Sequence, residues 1–379
     1  MSSHTNPWVR KNSSDAPGFN IATLMRTKKV AGDIGIEIEV EGNKFPKHEY
    51  DGRNAVNPEF IPSQWKYHKD GSLRGNDNAE YVFAKPLKFS EVNKAIDDLW
   101  DMFEKYGSKL DDSNRTSVHV HLNAQKWHLN RICVFSAMYF SVEEILTEWC
   151  GDHRVGNLFC LRAKDAPGII SKIKRFLVQG SSLSISEGLH YAGLNVHSLC
   201  KFGSIEIRAL RGCTDKSTIL DWVDILQRLY ENSGKYADPR TLLEGFSGEG
   251  PMAYFYMLLG NKAQMIKDTI TWDNQQIMSS LYEGVRLAQD LCYCREWSEY
   301  SPVSSEPAPF ERSETGQTPY MAVPAYSLEA GMLQSYYNSE APASLPTAPP
   351  PSVSSAGDSV LVDAEWDAYL DPDYDDEDD

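Results

Sequence analysis

Residues 33–42, DIGIEIEVEG, alternate strictly between apolar and acidic positions. In an extended chain this puts Ile36, Ile38 and Val40 on one side and Glu37, Glu39 and Glu41 on the other, so the pattern predicts a half-buried strand over 33–41. RTSVHVHLNA (115–124) repeats the period, with Val118, Val120 and Leu122 backing Ser117, His119, His121 and Asn123. HYAGLNVHSLCKFGSIEIRAL (190–210) reads as two strands joined by a short turn at Lys201 to Gly203. On the second of these, Ile205 and Ile207 back Ser204, Glu206 and Arg208; Asn195 and His197 share a face of the first. WKYHKDGSLRGNDNAEYVFAKPL (65–87) reads as a hairpin-like pair around a Gly/Asn-rich turn.

Helical spacing takes over between these segments. Val92, Ile96, Leu99 and Phe103 predict a helix over 90–106, with Ser90 as N-cap and Gly107 as the stop. Ile132, Phe135, Tyr139, Val142, Leu146 and Trp149 form the apolar stripe of a long helix over about 128–149. GIISKIKRFLVQG (168–180) is expected to be helical, as are 217–231, after Thr214 and Asp215, and much of 251–293. Strands separated by helices, with a hairpin among them, predict an α+β fold in which helices cover one face of a mainly antiparallel sheet.

Charge divides the chain sharply. Of the net charge of −17, residues from Ser301 onward carry −15, from 16 acidic residues against Arg312 alone. The same stretch holds 11 of the 20 prolines. Such a composition buries too little apolar surface to offset its ordering entropy, so disorder is expected there. The expected organisation is therefore a flexible arm over 1–20, a globular domain over 21–297 and a Pro-rich acidic tail over 298–379. The end of the tail, DAEWDAYLDPDYDDEDD, is either a solvated segment or a short motif that orders on a protein partner.

The remaining chain is nearly neutral, so its charge gives no indication of nucleic-acid binding. No stretch has the apolar length of a membrane span, and the N-terminus lacks a signal peptide's apolar core. Seven cysteines without framework spacing fit reduced thiols in a cytoplasm, and Cys160 and Cys213 are expected in core or loop.

The polar faces of the strands carry the chemistry. Exposed strand faces are common in antiparallel sheets, but here the residues are Glu and His with one Arg. Like charges on one face are tolerated if a divalent cation sits against them. Glutamates favour Mg²⁺ with phosphate oxygens, while the histidine pair keeps zinc open. Arginine suits planar contact with phosphate or carboxylate. There is no Gly-rich phosphate loop, so a nucleotide would be held through metal and side chains.

GIEIEVEG, KDGSLRGNDNAEYVFAKPL, SVHVHLNA, RVGNLFC, GLNVHS and SIEIRALRGCTD, in that order over about 33–230, together resemble the amidoligase family. That family is related to glutamine synthetase and glutamate–cysteine ligase and occurs widely in bacteriophages and bacteria. The resemblance implies a curved, mainly antiparallel sheet shaped as a glutamine synthetase-like funnel. It also implies ATP-dependent activation of a carboxylate as an acyl phosphate, followed by attack of an amine. On this resemblance Glu37, Glu39, Glu80 and Glu206 are metal ligands, and His119 and His121 face the metal–nucleotide site. Arg208 holds the transferring phosphoryl group, and Arg154 and Asn195 contact substrate or nucleotide. Asp70 and Ser72 are either site residues or turn-formers.

The expected function is thus an ATP- and Mg²⁺-dependent ligase joining a small-molecule or peptide carboxylate to an amine, in the cytoplasm (a bacterial host's, if phage-encoded). Two readings compete with it: a metal-dependent hydrolase using the same carboxylates and histidines, and a non-catalytic protein that keeps the scaffold for binding or assembly.

Overall fold

In the computed structural model the described residues are 27–292, apart from 48, 52–53, 57–60, 71, 74–76, 167–190 and 237–238. They all lie in the first of two units, Met1–Val323. The arm, the tail and the helix expected over 168–180 lie outside the described residues.

Alternation produces the strands read around 33–41, 117–123 and 204–208, whereas the strand expected through Asn195 and His197 ends at Asn195, and His197 leads into a helical turn at Ser198–Lys201 in place of the expected hairpin. β1 (Ile34–Asn43) is flanked by β5 (Asn78–Phe83) and β7 (Ser117–Asn123), and β7 continues to β9 (Ser204–Arg211). β4 (Trp65–His68) and β8 (Leu194–Asn195) complete the order β4-β5-β1-β7-β9-β8, and β6 (Lys109–Leu110) pairs with the end of β1. Every pairing in this open sheet is antiparallel. A separate hairpin joins β2 (Glu49–Asp51) to β3 (Asn54–Val56). The fold is α+β.

One face of the sheet is the core. Ile34, Ile36 and Ile38 of β1, Val118, Val120 and Leu122 of β7, and Ile205 and Ile207 of β9 are all buried in one apolar cluster. Helix α1 (Phe89–Tyr106) adds Val92, Ile96, Leu99 and Phe103 to it. Its N-cap is Lys88 in place of the expected Ser90, because the Glu91 carboxylate accepts from the Lys88 N–H at 2.8 Å.

Helix α2 (Leu129–Cys150) departs from the expected stripe. From Ile132 to Thr147 every residue is buried except Glu144, so the helix is enclosed on all sides. After it come the short α3 (Ser198–Lys201), between β8 and β9, and then α4 (Lys216–Ser233), capped by Asp215 through the Ser217 N–H. The helical stretch expected over 251–293 is three helices, α6 (Pro251–Leu259), α7 (Lys262–Thr269) and α8 (Asn274–Cys292), preceded by α5 (Pro239–Glu249). Gly260, at φ +60°, makes the first break. α8 crosses α2 backbone to backbone: a Cβ on Gly284 would lie 2.5 Å from the Phe140 carbonyl oxygen. Among the described residues no helix is long and apolar enough to cross a membrane.

Enclosure of α2 traps a carboxyl group. Glu143 is buried; its Oε2 accepts from the Ala163 N–H at 2.8 Å, and Oε1 has no hydrogen-bond partner. Arg162, whose charge favours ionisation of Glu143, is engaged with Asp165 at 2.6 Å and 2.9 Å. Burial pushes the Glu143 carboxyl up to about 8. The folded chain then holds a proton that the unfolded chain has released, so Glu143 contributes stability that falls as pH rises from its ordinary range to about 8. Glu143→Gln keeps the shape without the ionisation. Urea midpoints are expected to fall less between pH 5 and pH 8.5 in this variant than in the parent. Equal slopes in the two proteins would refute the assignment.

Candidate functional site

Strand register assembles the other face. Glu39 of β1 stands directly opposite Glu80 of β5, and Glu37 opposite His119 of β7. His121 stands opposite Glu206 of β9, which in turn faces Asn195 of β8. Five adjacent strands thus place carboxylate, imidazole and amide groups along one band of the sheet.

The band separates into two triads. One oxygen each from Glu39, Asp70 and Glu80 lie within 4.8 Å of one another. The same holds for one ligand atom each from Glu37, His121 and Glu206. Asp70 reaches the first triad from the turn after β4. Its two carboxylate oxygens accept from the Ser72 N–H at 2.7 Å and the Ser72 hydroxyl at 2.8 Å, so Ser72 orients Asp70.

His119 lies between the triads. Its Nδ1 is 3.1 Å from Glu37 Oε2 and 3.7 Å from Glu206 Oε1, and its Nε2 is 3.9 Å from Glu39 Oε1. Ser117 ties it further to the first triad, with Oγ 2.7 Å from His119 Nε2 and 2.7 Å from Glu39 Oε2. In the second triad, His121 Nε2 is 3.1 Å from Glu37 Oε1, and Nδ1 is 3.2 Å from the Ser204 hydroxyl. Asn195 Nδ2 donates to Glu206 Oε2 at 2.8 Å.

Arg208 and Arg154 take different roles. The Arg208 Nη1 pairs with Glu206 Oε1, and its Nε donates to the Phe159 carbonyl at 3.2 Å. Arg154, expected at a ligand, is buried with its guanidinium on the backbone of β9. Its Nε donates to Ala209 O at 2.9 Å and its Nη2 to Arg208 O. The reason is a bulge. Val118 pairs with Leu210 but Val120 with Ile207, leaving Arg208 and Ala209 opposite His119. Arg154 satisfies the carbonyls that the bulge takes out of the ladder. It thereby positions Arg208.

Glu41 has the same parity as Glu37 and Glu39 but belongs to neither triad. It accepts from the Ser113 hydroxyl at 2.6 Å, and Arg115 lies 3.8 Å away.

The electrostatics of the triads differ. In the first, burial raises Glu80 well above the usual carboxylate range, and the charges of Glu37, Glu39 and Asp70 raise it further. Burial likewise raises Glu39. Like charges directly opposite on a buried face destabilise a sheet, so ionisation of this pair is opposed unless a cation sits against it. In the second, burial opposes ionisation of Glu37, but His121 and His119 hold it well below the usual range. Burial also opposes ionisation of Glu206, and Arg208 and His121 outweigh it. His121 is raised, since Glu37 and Glu206 outweigh its burial. The first triad is an all-oxygen set lacking positive charge, suited to a hard divalent cation; the second is a mixed oxygen–nitrogen set.

Sequence parity located Glu37, Glu39, His119, His121, Asn195, Glu206 and Arg208 on polar faces, and the structure brings all of them together with Glu80. Ser117 and Ser204 also lie on those faces, and parity alone gave them no role. Compared with known proteins, the chain matches no protein-family model and no curated protein.

Proposed function

We propose that the chain is an ATP- and Mg²⁺-dependent carboxylate–amine ligase of the amidoligase kind, working on a curved, glutamine synthetase-like sheet. The observation that carries this reading is the partly buried band itself: two cation-ready triads on adjacent strands with an arginine beside the second. Phosphoryl transfer asks little covalent chemistry of a protein and much positioning and neutralisation of charge. Mg²⁺, when bound, supplies that neutralisation at Glu39, Asp70 and Glu80 and at Glu37 and Glu206.

The chain's own residues do the rest. His119 and His121 hold Glu37 ionised and oriented. Asn195 fixes Glu206. Arg208 presents its guanidinium to the phosphoryl group as a substrate carboxylate oxygen attacks it and ADP departs. The amine then attacks the acyl carbon, the bond from that carbon to the phosphate oxygen breaks, and the nitrogen gives up a proton that leaves with the departing phosphate, so the products are the amide and inorganic phosphate. The test is release of ADP that requires both a carboxylate and an amine. ADP release unaffected by omitting either substrate would contradict the reading.

The imidazole of the second triad favours one other reading, a metal-dependent hydrolase in which Glu37, His121 and Glu206 hold a cation that activates water. Turnover without ATP would select it.

On the ligase reading residues 301–379 are dispensable for catalysis, as they lie outside the motifs that carry the resemblance. Truncation after Tyr300 is expected to leave ADP release within about a few-fold and thermal stability nearly unchanged. A protein partner docked on the acidic end would instead be lost from a salt-sensitive pull-down. Failure of the truncated chain to fold would refute both statements.

A further inference from the structure

Beside Arg208 the chain builds a feature that the proposed chemistry leaves unused. Residues 153–160 form a tight loop whose polar groups satisfy one another. The Asn157 side chain accepts from the Phe159 N–H at 2.9 Å and donates to His153 O at 3.3 Å, and the Cys160 N–H donates to Asn157 O at 3.2 Å. Besides His153, the loop turns large apolar side chains outward. Leu158 is 72% exposed and Phe159 61%. Tyr191, 40% exposed, sets its ring edge-on to Phe159 at 5.6 Å between centroids. Single exposed apolar side chains are ordinary, but a contiguous patch marks a recognition surface.

This patch is fastened to the site. The Phe159 carbonyl accepts from Arg208 Nε at 3.2 Å. The Leu161 N–H donates to Tyr191 O at 2.8 Å, the Gly193 N–H to Leu161 O at 2.8 Å, and the Arg208 N–H to Gly193 O at 2.9 Å. A molecule with an anionic group at Arg208 therefore has the Phe159 residue as an immediate neighbour.

We propose that the carboxylate substrate carries an aromatic or bulky aliphatic side chain, which rests on Leu158, Phe159 and Tyr191 while its carboxylate lies beside Arg208. This rests on the ligase reading. The nucleobase of ATP is the less suitable occupant. A ribose and two further phosphates separate it from the phosphoryl group that Arg208 faces, whereas Phe159 touches Arg208 through its own backbone. An amino acid or peptide C-terminus has the right reach, because its side chain begins one carbon from the carboxylate.

The test uses N-acetylated phenylalanine, leucine, serine and aspartate as carboxylates, with Mg-ATP and hydroxylamine as the amine, on the full chain. The phenylalanine and leucine probes are expected to exceed the serine and aspartate probes by about tenfold or more in kcat/KM. Phe159→Ala and Leu158→Ser should raise KM for the phenylalanine probe by about tenfold and leave KM for ATP within about twofold. Equal kcat/KM across the probes, or a rise in KM for ATP alone, would overturn the proposal. A second arm measures binding of N-acetylphenylalanine by calorimetry without ATP. Binding that Phe159→Ala abolishes supports the apolar site even if no probe releases ADP, an outcome that would count against the ligase reading alone. No binding in this arm, or binding unchanged by Phe159→Ala, overturns the apolar site.

Discussion

Glu80→Gln is expected to abolish ATP turnover and at the same time to stabilise the metal-free protein. Glu80 sits buried opposite Glu39, with Asp70 closing the triad, and the three neighbouring carboxylates and its own burial resist its ionisation. The amide has nearly the same shape and carries no charge, so it removes the repulsion without opening a cavity. In EDTA the variant should melt higher than the parent by about 2–4 °C, the shift that roughly 1 kcal/mol gives in a domain of this size. In Mg²⁺ the order should reverse, because only the parent gains stability from binding the ion. Turnover should fall by a factor on the order of 10² or more, as when one group that stabilises transition-state charge is removed. Opposite signs for stability and activity are what separate a cation site from surface acidity. A variant that melts lower in EDTA and keeps its turnover would refute the assignment.

Arg208→Lys is expected to cost a similar factor although the charge is kept. The guanidinium spans two anchors, Glu206 Oε1 through Nη1 and the Phe159 carbonyl through Nε, and so presents its remaining N–H groups in a fixed direction. An ammonium group is a compact point charge that cannot hold both anchors and face a phosphoryl group. The loss should fall on kcat, by about 10²-fold or more, with KM for ATP changed much less. Full activity in the lysine variant would remove Arg208 from the reaction.

What the sequence disclosed was parity, because parity is local. Alternation in β1, β7 and β9 follows from the period of an extended chain, and it assigned each glutamate and histidine to a face without reference to any partner strand. Register is not local. Glu37, Glu39 and Glu41 look equivalent in DIGIEIEVEG, yet pairing sends Glu39 to Glu80, Glu37 to His119, and Glu41 to Ser113 and Arg115. The division into two triads depends on those pairings and on Asp70, which arrives from a turn. Arg154 shows the same limit. Its place is set by a one-residue shift between β7 and β9 that leaves no mark on either strand's own pattern. The stripe assigned to α2 is true but incomplete, since helical spacing cannot tell a one-sided helix from one enclosed by neighbours. The break at Gly260 was available in the sequence as a glycine inside a helical run.

Binding of Mn²⁺ in place of Mg²⁺, followed by electron paramagnetic resonance on the full chain, decides whether the two triads are cation sites. The two triads should bind Mn²⁺ saturably, with Mg²⁺ displacing it and ATP strengthening its binding. Glu80→Gln should weaken it at one triad, Glu37→Gln should weaken it at the other, and the double variant should abolish it. Mn²⁺ that stays free in solution with the parent protein, or that binds the double variant as tightly as the parent, would contradict the assignment of the triads as cation sites.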